Sequence, residues 1–215
     1  MKRAMVVGLG GLGCPAALAL AALGVRRFVL VDGDRVELSN LHRQLLHDEA
    51  DIGRLKVESA RDKLTARFAR LEAQLIHERV TAKNVLHWMR EVDVVVDGTD
   101  DTVAKFALSD AAVATGKPVV YGGAVGWNGQ AMTLSREGVC LRCVFEVPPE
   151  VATCAQAGIL GPCAGFVGTW QGRLAWRALT EPRPEKRAQM WRFDGLALIA
   201  RSHAVSRAGD CQHGD

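Results

Sequence analysis

The chain has 215 residues, 48% of them hydrophobic, and a formal net charge of +3. That length suits one domain, or one domain with a small appendage, and supplies enough apolar residues for a sizeable core. The weak charge and the lack of a dense basic run argue against nucleic acid as a partner. No uninterrupted apolar stretch of about 18 residues argues for a membrane span.

The first informative stretch is Val6-Val7-Gly8-Leu9-Gly10-Gly11-Leu12-Gly13-Cys14-Pro15. It predicts a buried strand, a glycine turn, and a helix over residues 12–23. Gly8, Gly10 and Gly13 form G-x-G-x-x-G, in which the glycines serve the tight turn, the approach of a phosphate and close helix–strand packing. The helix start offers free N–H groups and a positive dipole end. Pro15 is tolerated in a first turn, and Gly24 is a natural stop. A basic start followed by an apolar stretch also imitates a secretory signal, with residues 19–22 as a cleavage region. The next run weighs against export: residues 28–32 read as a strand ending in Asp32, an acid at the spacing expected of a ribose ligand.

Residues 33–44 are polar and well placed to wrap phosphates. Arg43 is the anion partner by virtue of its planar fork, or else a solvated surface arginine. A helix is predicted over 51–71 with Lys56 in its first turn, a position that suits a cation only if a polyphosphate offsets the dipole; otherwise it is a plain surface lysine. A strand over 74–80, a helix over 81–90 and a valine-rich strand over 92–97 follow. Asp100 then lies on the rim where α/β sheets bind ligands, as a candidate for Mg²⁺, while Asp101 alone can cap a helix over 102–115. Residues 119–121 form another buried strand, Asn128-Gly129 marks a hairpin, and 130–135 returns.

Cys140-Leu141-Arg142-Cys143 has half-site spacing for zinc, and Cys211 with His213 would complete a Cys₃His tetrahedron. A redox pair or free thiols are the alternatives. The six cysteines, Cys14, Cys140, Cys143, Cys154, Cys163 and Cys211, are unevenly spaced, which beside a nucleotide fingerprint suggests reduced thiols and a cytoplasmic location. Residues 145–153 form a crossing loop that delivers Cys154, which is either a thiolate stabilised at a helix start or a buried structural cysteine. An apolar helix over 164–179 takes Cys163 and Trp170 into the core, and 190–200 is the last strand region. The fold class is α/β: a Rossmann-like, mostly parallel sheet with helices on both faces and an antiparallel C-terminal extension.

Gly8 to Pro15, Asp32-Gly33-Asp34, Ser39-Asn40-Leu41-His42-Arg43-Gln44, Lys56, Thr99-Asp100, Cys140-x-x-Cys143 and Thr153-Cys154-x-x-Ala157-Gly158 fall in one order and spacing. Together they resemble the MoeB/ThiF/HesA family of bacterial adenylyltransferases, relatives of ubiquitin-activating enzymes, over essentially the whole chain. The resemblance implies use of ATP and Mg²⁺ to adenylate the C-terminal glycine carboxylate of a ubiquitin-like sulfur carrier ending in Gly-Gly, for thiamine or molybdopterin biosynthesis. It implies that Gly8, Gly10, Gly11 and Gly13 cradle phosphate and that Asp32 holds the ribose, with Asp34 and Ser39 beside it. Asn40, Arg43 and Lys56 hold the polyphosphate, and Asp100 holds magnesium. Arg43, Lys56 and Asp100 are thereby the catalytic set, joined in thiamine-type members by Cys154. The implied organisation is a single adenylation domain over 1–215, with a nucleotide-binding core over 1–135 and a zinc- and carrier-binding extension over 136–215.

A homodimer is implied, with a separate sulfurtransferase as a further partner in molybdopterin-type members. Two features depart from the family pattern. An N-terminal helix with an arginine that reaches the partner subunit's ATP is missing, so that charge comes from a longer start or another polypeptide, or activity is reduced. The tail reads Cys-x-His-Gly in place of a second C-x-x-C, which leaves the fourth zinc ligand open. The alternative readings are a catalytically weak carrier-binding scaffold and an NAD-dependent oxidoreductase.

Overall fold

The computed structural model describes residues 2–145, 158–181, 188–209 and 211. Eight strands make one sheet: β1 (Arg3–Val7), β2 (Arg27–Val31), β3 (Glu72–Ile76), β4 (Val94–Asp97), β5 (Val119–Val125), β6 (Asn128–Leu134), β7 (Ala188–Asp194) and β8 (Ile199–Val205). Their spatial order is β3-β2-β1-β4-β5-β6-β7-β8. The strands from β3 to β5 run parallel, and β6, β7 and β8 are added antiparallel. The expected α/β architecture is therefore present. The chain order reverses between β1 and β4, the switch point at which such sheets bind ligands.

The helices are α1 (Gly13–Ala22), α2 (Lys56–Arg67), α3 (Val85–Met89), α4 (Thr102–Thr115) and α5 (Gly161–Thr180). Alternation along the strands sorts the core into two layers. Ala4, Val6, Phe28, Leu30, Val94 and Val96 face α1, α2 and α5. Met5, Val7, Val29, Val31 and Val95 face α3 and α4. Burial on both sides explains the near-continuous apolar composition of the central strands. The β4–β5 ladder is short, pairing Val95 with Val119 and Val96 with Val120. Beyond it, the buried amide of Gln171 on α5 donates to the Asp97 carbonyl at 2.7 Å and the Val120 carbonyl at 3.1 Å. One side chain thus satisfies a carbonyl on each of the two strands and ties α5 to the sheet.

Several boundaries differ from the sequence expectation. The helix predicted over 51–71 begins only at Lys56, because Gly53 takes a positive φ of +85° and residues 49–51 form a separate turn. The strand predicted over 74–80 is Glu72–Ile76; beyond it His77 turns to the Gly33 carbonyl and Arg79 to Asp34. The helix predicted over 81–90 shortens to Val85–Met89. The last strand region is two strands, because Asp194 accepts the N–H groups of Leu196 and Ala197 and Leu198 adopts φ +55°, which makes a hairpin. Cys163 is buried as expected, but Trp170 is only half-buried, edge-on to Trp191 at 4.9 Å. Among the described residues, no helix is long and apolar enough to cross a membrane.

The turn before α2 is held by charge. The Asp51 side chain is buried, accepting the Asp48 N–H at 3.2 Å and pairing with Arg54 at 2.7 Å and Lys63 at 3.1 Å. Burial raises its pKa, but the Asp48 amide and Lys63 ammonium outweigh that and bring it from 3.8 to about 2. A carboxyl whose pKa is lower in the folded state stabilises above its unfolded value and loses that contribution as pH falls toward 2. Asp51→Asn is expected to cost about 2 kcal/mol at pH 7. In urea titrations the gap to the unmodified chain should shrink steadily between pH 5 and pH 2.

Candidate nucleotide site and cysteine cluster

β1 delivers the chain into Gly8 at φ +83°, where an added Cβ would lie 2.7 Å from the Gly98 carbonyl oxygen. At Gly13 a Cβ would stand 1.7 Å from the Gly8 oxygen. The start of α1 is therefore pressed against the ends of β1 and β4 backbone to backbone. Around Gly10 there is open space, its would-be Cβ meeting only the Gln44 amide at 3.8 Å. Among the described residues, the N–H groups of Gly10, Gly11 and Leu12 have no hydrogen-bond acceptor. Free amides at a helix start in an open turn are the donor set a phosphate needs.

Asp32, at the end of β2, is buried. Its Oδ2 accepts the Leu9 N–H at 2.6 Å and its Oδ1 the Asp34 N–H at 2.8 Å. Burial pushes its pKa above the ordinary carboxylate value, against the pull of Lys56 and those two amides. Asp34 pairs with Lys56 at 3.2 Å and with Arg79 at 2.7 Å. Lys56 sits at the start of α2 as expected, with its side chain only 8% exposed. It is not a plain surface lysine. Arg43 lies against the glycine loop, its Cγ 3.4 Å from where a Gly11 Cβ would be, and it donates to the Asn40 side-chain oxygen. Asn40 in turn donates to Glu37 at 3.2 Å. Ser39 is exposed, and its hydroxyl meets the Glu37 carboxylate at 3.5 Å.

Asp101 caps α4 by accepting the Val103 N–H at 2.9 Å, which leaves Asp100 exposed on the rim. Asp100 lines an open cavity of about 420 Å³ together with Thr99, Lys105, Tyr121, Gln130 and Phe193. Sequence reasoning missed the polar frame beneath it. The buried Asp97 accepts the Thr99 hydroxyl at 2.7 Å and the Lys105 ammonium at 3.0 Å. Lys105 also donates to the Gly122 carbonyl at 2.6 Å and lies over the Tyr121 ring at 5.2 Å. The available signal was a single lysine in the otherwise largely apolar α4. Glycines, Asp32, Asp34, Arg43, Asn40 and Lys56 thus converge on one loop, with Asp100 at its edge.

The second cluster is sulfur. Cys140, Cys143 and Cys211 bring their Sγ atoms to 3.7, 3.6 and 3.5 Å of one another. A tetrahedron with Zn–S bonds of about 2.3 Å has edges of about 3.8 Å, so the trio fits three corners of a zinc site. Burial pushes the Cys140 thiol up to about 12, and a divalent metal would draw off that proton. The cysteine turn is docked on α4, where the Leu141 N–H meets the Ser109 hydroxyl at 2.9 Å and Arg142 grips Asp110 with two hydrogen bonds. His213 and Cys154 lie outside the described residues.

The sequence pattern of the ThiF family matches residues 1–213. The chain belongs to the ThiF family. Relatives include adenylyltransferase and sulfurtransferase MOCS3-1 of Zea mays, 41% identical over 216 residues, covering 97% of this chain and 46% of the relative. MOCS3 of Anopheles gambiae is 40% identical, covering 91% of this chain and 46% of its own length. Adenylyltransferase and sulfurtransferase uba4 of Aspergillus terreus is 41% identical, covering 86% and 41%. This ThiF-family chain therefore spans less than half the length of these curated relatives. Among solved structures, E. coli MccB with ATP superposes with a TM-score of 0.81 at 19% identity, covering 99% of this chain and 66% of that one. That likeness is one of fold.

The sulfur geometry generates a measurement. Metal analysis of the purified chain is expected to find about one zinc, and Cys143→Ser should reduce it to a small fraction. Stripping the metal with a strong chelator should lower the melting temperature of the unmodified chain and leave that of the variant little changed.

Proposed function

We propose that this chain is the adenylating part of an enzyme that activates the C-terminal glycine carboxylate of a ubiquitin-like sulfur carrier as an acyl-adenylate. The observation that carries the reading is the joint placement of unpaired loop amides, Arg43, Lys56 and Asp100 around one open turn. The relatives' names, which join adenylyl transfer to sulfur transfer, support it. A carboxylate oxygen attacks the α-phosphorus of ATP, the bond to the β-phosphate oxygen breaks, and pyrophosphate carries away the electron pair. Both partners are anions, so the protein's task is to hold them in line and to offset charge, with little covalent work.

On this reading Gly10 and Gly11 donate to phosphate, Asp32 keeps lone pairs for the ribose, and Arg43 and Lys56 counter the polyphosphate. Asp100 would hold Mg²⁺, which supplies further neutralisation of the phosphate oxygens. The cavity between Asp100 and the β5–β6 hairpin receives the carrier's extended tail, and the zinc-holding extension over 136–215 carries the docking surface. Cys154 enters only if sulfur is passed on this chain, and a separate sulfurtransferase takes the adenylate if it is not. The working assembly is a homodimer in the cytoplasm. Whether the carrier serves thiamine or molybdopterin synthesis rests on the carrier itself.

Carrier-dependent exchange of labelled pyrophosphate into ATP tests the proposal. Arg43→Ala and Asp100→Ala are each expected to reduce exchange by roughly 100-fold or more. A chain that binds ATP but shows no exchange with any small carrier ending in Gly-Gly would overturn it.

A further inference from the structure

On the protein side of the glycine loop lies a buried polar cluster made of Cys14, His47 and Ser59. It closes on the Leu9 peptide from both directions. The Leu9 N–H donates to Asp32 at 2.6 Å, while the Leu9 carbonyl receives the Cys14 thiol at 3.1 Å and faces His47 Nε2 at 3.1 Å. A carbonyl only accepts, so Nε2 carries the proton. In the neutral imidazole, Nδ1 is then the acceptor facing the Ser59 hydroxyl at 2.8 Å, a hydroxyl it shares with the buried Asp51 carboxylate. The assignment follows from the partners, and burial, which lowers the His47 pKa, is consistent with it.

The Leu9 carbonyl and the Gly10 N–H belong to one planar peptide unit, and no cis bond occurs among the described residues. In a trans unit those two groups point in opposite directions. Holding the carbonyl inward therefore aims the Gly10 N–H outward, into the open space above the loop. His47 also belongs to the segment that carries Arg43, and Ser59 lies one turn after Lys56 on α2. A single imidazole thus joins the loop amides, the Arg43 segment and the Lys56 helix.

We propose that His47 is a positioning residue for the nucleotide phosphates, acting through the Leu9 carbonyl on the Gly10 N–H, with Ser59 fixing the ring. The proposal rests on the reading of the glycine loop as a nucleotide site. It is independent of which carboxylate is adenylated.

The test is calorimetric titration of ATP with Mg²⁺ into the full chain, together with the melting temperature of each unliganded variant. His47→Leu is expected to weaken ATP binding about tenfold, and Ser59→Ala about threefold. His47→Gln, whose side-chain nitrogen can reach the Leu9 carbonyl, should bind within about threefold of the unmodified chain. A merely structural role predicts the reverse pattern: losses in melting temperature that are alike for Leu and Gln, with no difference in ATP affinity. Folded His47→Leu that binds ATP as tightly as the unmodified chain overturns the role. Should His47→Leu not fold, unchanged affinity in Ser59→Ala overturns it instead. If the unmodified chain itself binds no ATP, the nucleotide reading fails and the proposal falls with it.

Discussion

Three positions without side chains, Gly8, Gly13 and Gly98, set the geometry on which the rest depends. Gly98 would place a Cβ 2.6 Å from the Gly8 oxygen, just as Gly13 would at 1.7 Å. The end of β1, the start of α1 and the end of β4 can therefore approach only as bare backbone. That approach lays the helix start across the strand ends and brings the residues after Gly98, Thr99 and Asp100, beside the loop. Donors from one segment and carboxylates from another, about ninety residues away in sequence, become neighbours through a contact that any methyl group would prevent.

Charge around this crossing is arranged in pairs that cross element boundaries. Asp34 holds Lys56, and Asp97 holds Lys105. Both lysines are largely buried, so each needs its acid to offset desolvation. The pairs differ in surroundings. Lys105 has a carbonyl and an aromatic face around it and serves as a strut between the end of β4 and the middle of β5. Lys56 has its acid shared with the exposed Arg79, which leaves the Asp34 side of the site open to solvent. The first pair belongs to the frame and the second to the mouth.

What the sequence disclosed follows from how local each signal was. The glycine loop, Asp32 and the Asp101 cap are governed by partners within a strand–turn–helix unit, and their spacing alone carried them. The Cys140–Cys143 spacing was equally local, while Cys211 joined it only through chemistry. His47, Lys105 and Gln171 were not legible as functional or structural keys. Each is one polar side chain whose meaning lies in a backbone group far along the chain, such as the Leu9 carbonyl, the Gly122 carbonyl or the Asp97 carbonyl. The β7–β8 hairpin, by contrast, carries a local signal that the strand pattern overshadowed: Asp194-Gly195 is a turn pair, and the turn is completed by a left-handed Leu198.

The cysteine cluster also bears on how the polypeptide assembles. Cys143 and Cys211 are separated by 68 positions, and between them lie α5, β7 and β8. Bringing such distant thiols together is entropically costly until the intervening elements are in register. Capture of an ion there would thus be a late event, and occupancy of the sulfur trio would report that α5, β7 and β8 have reached their final arrangement.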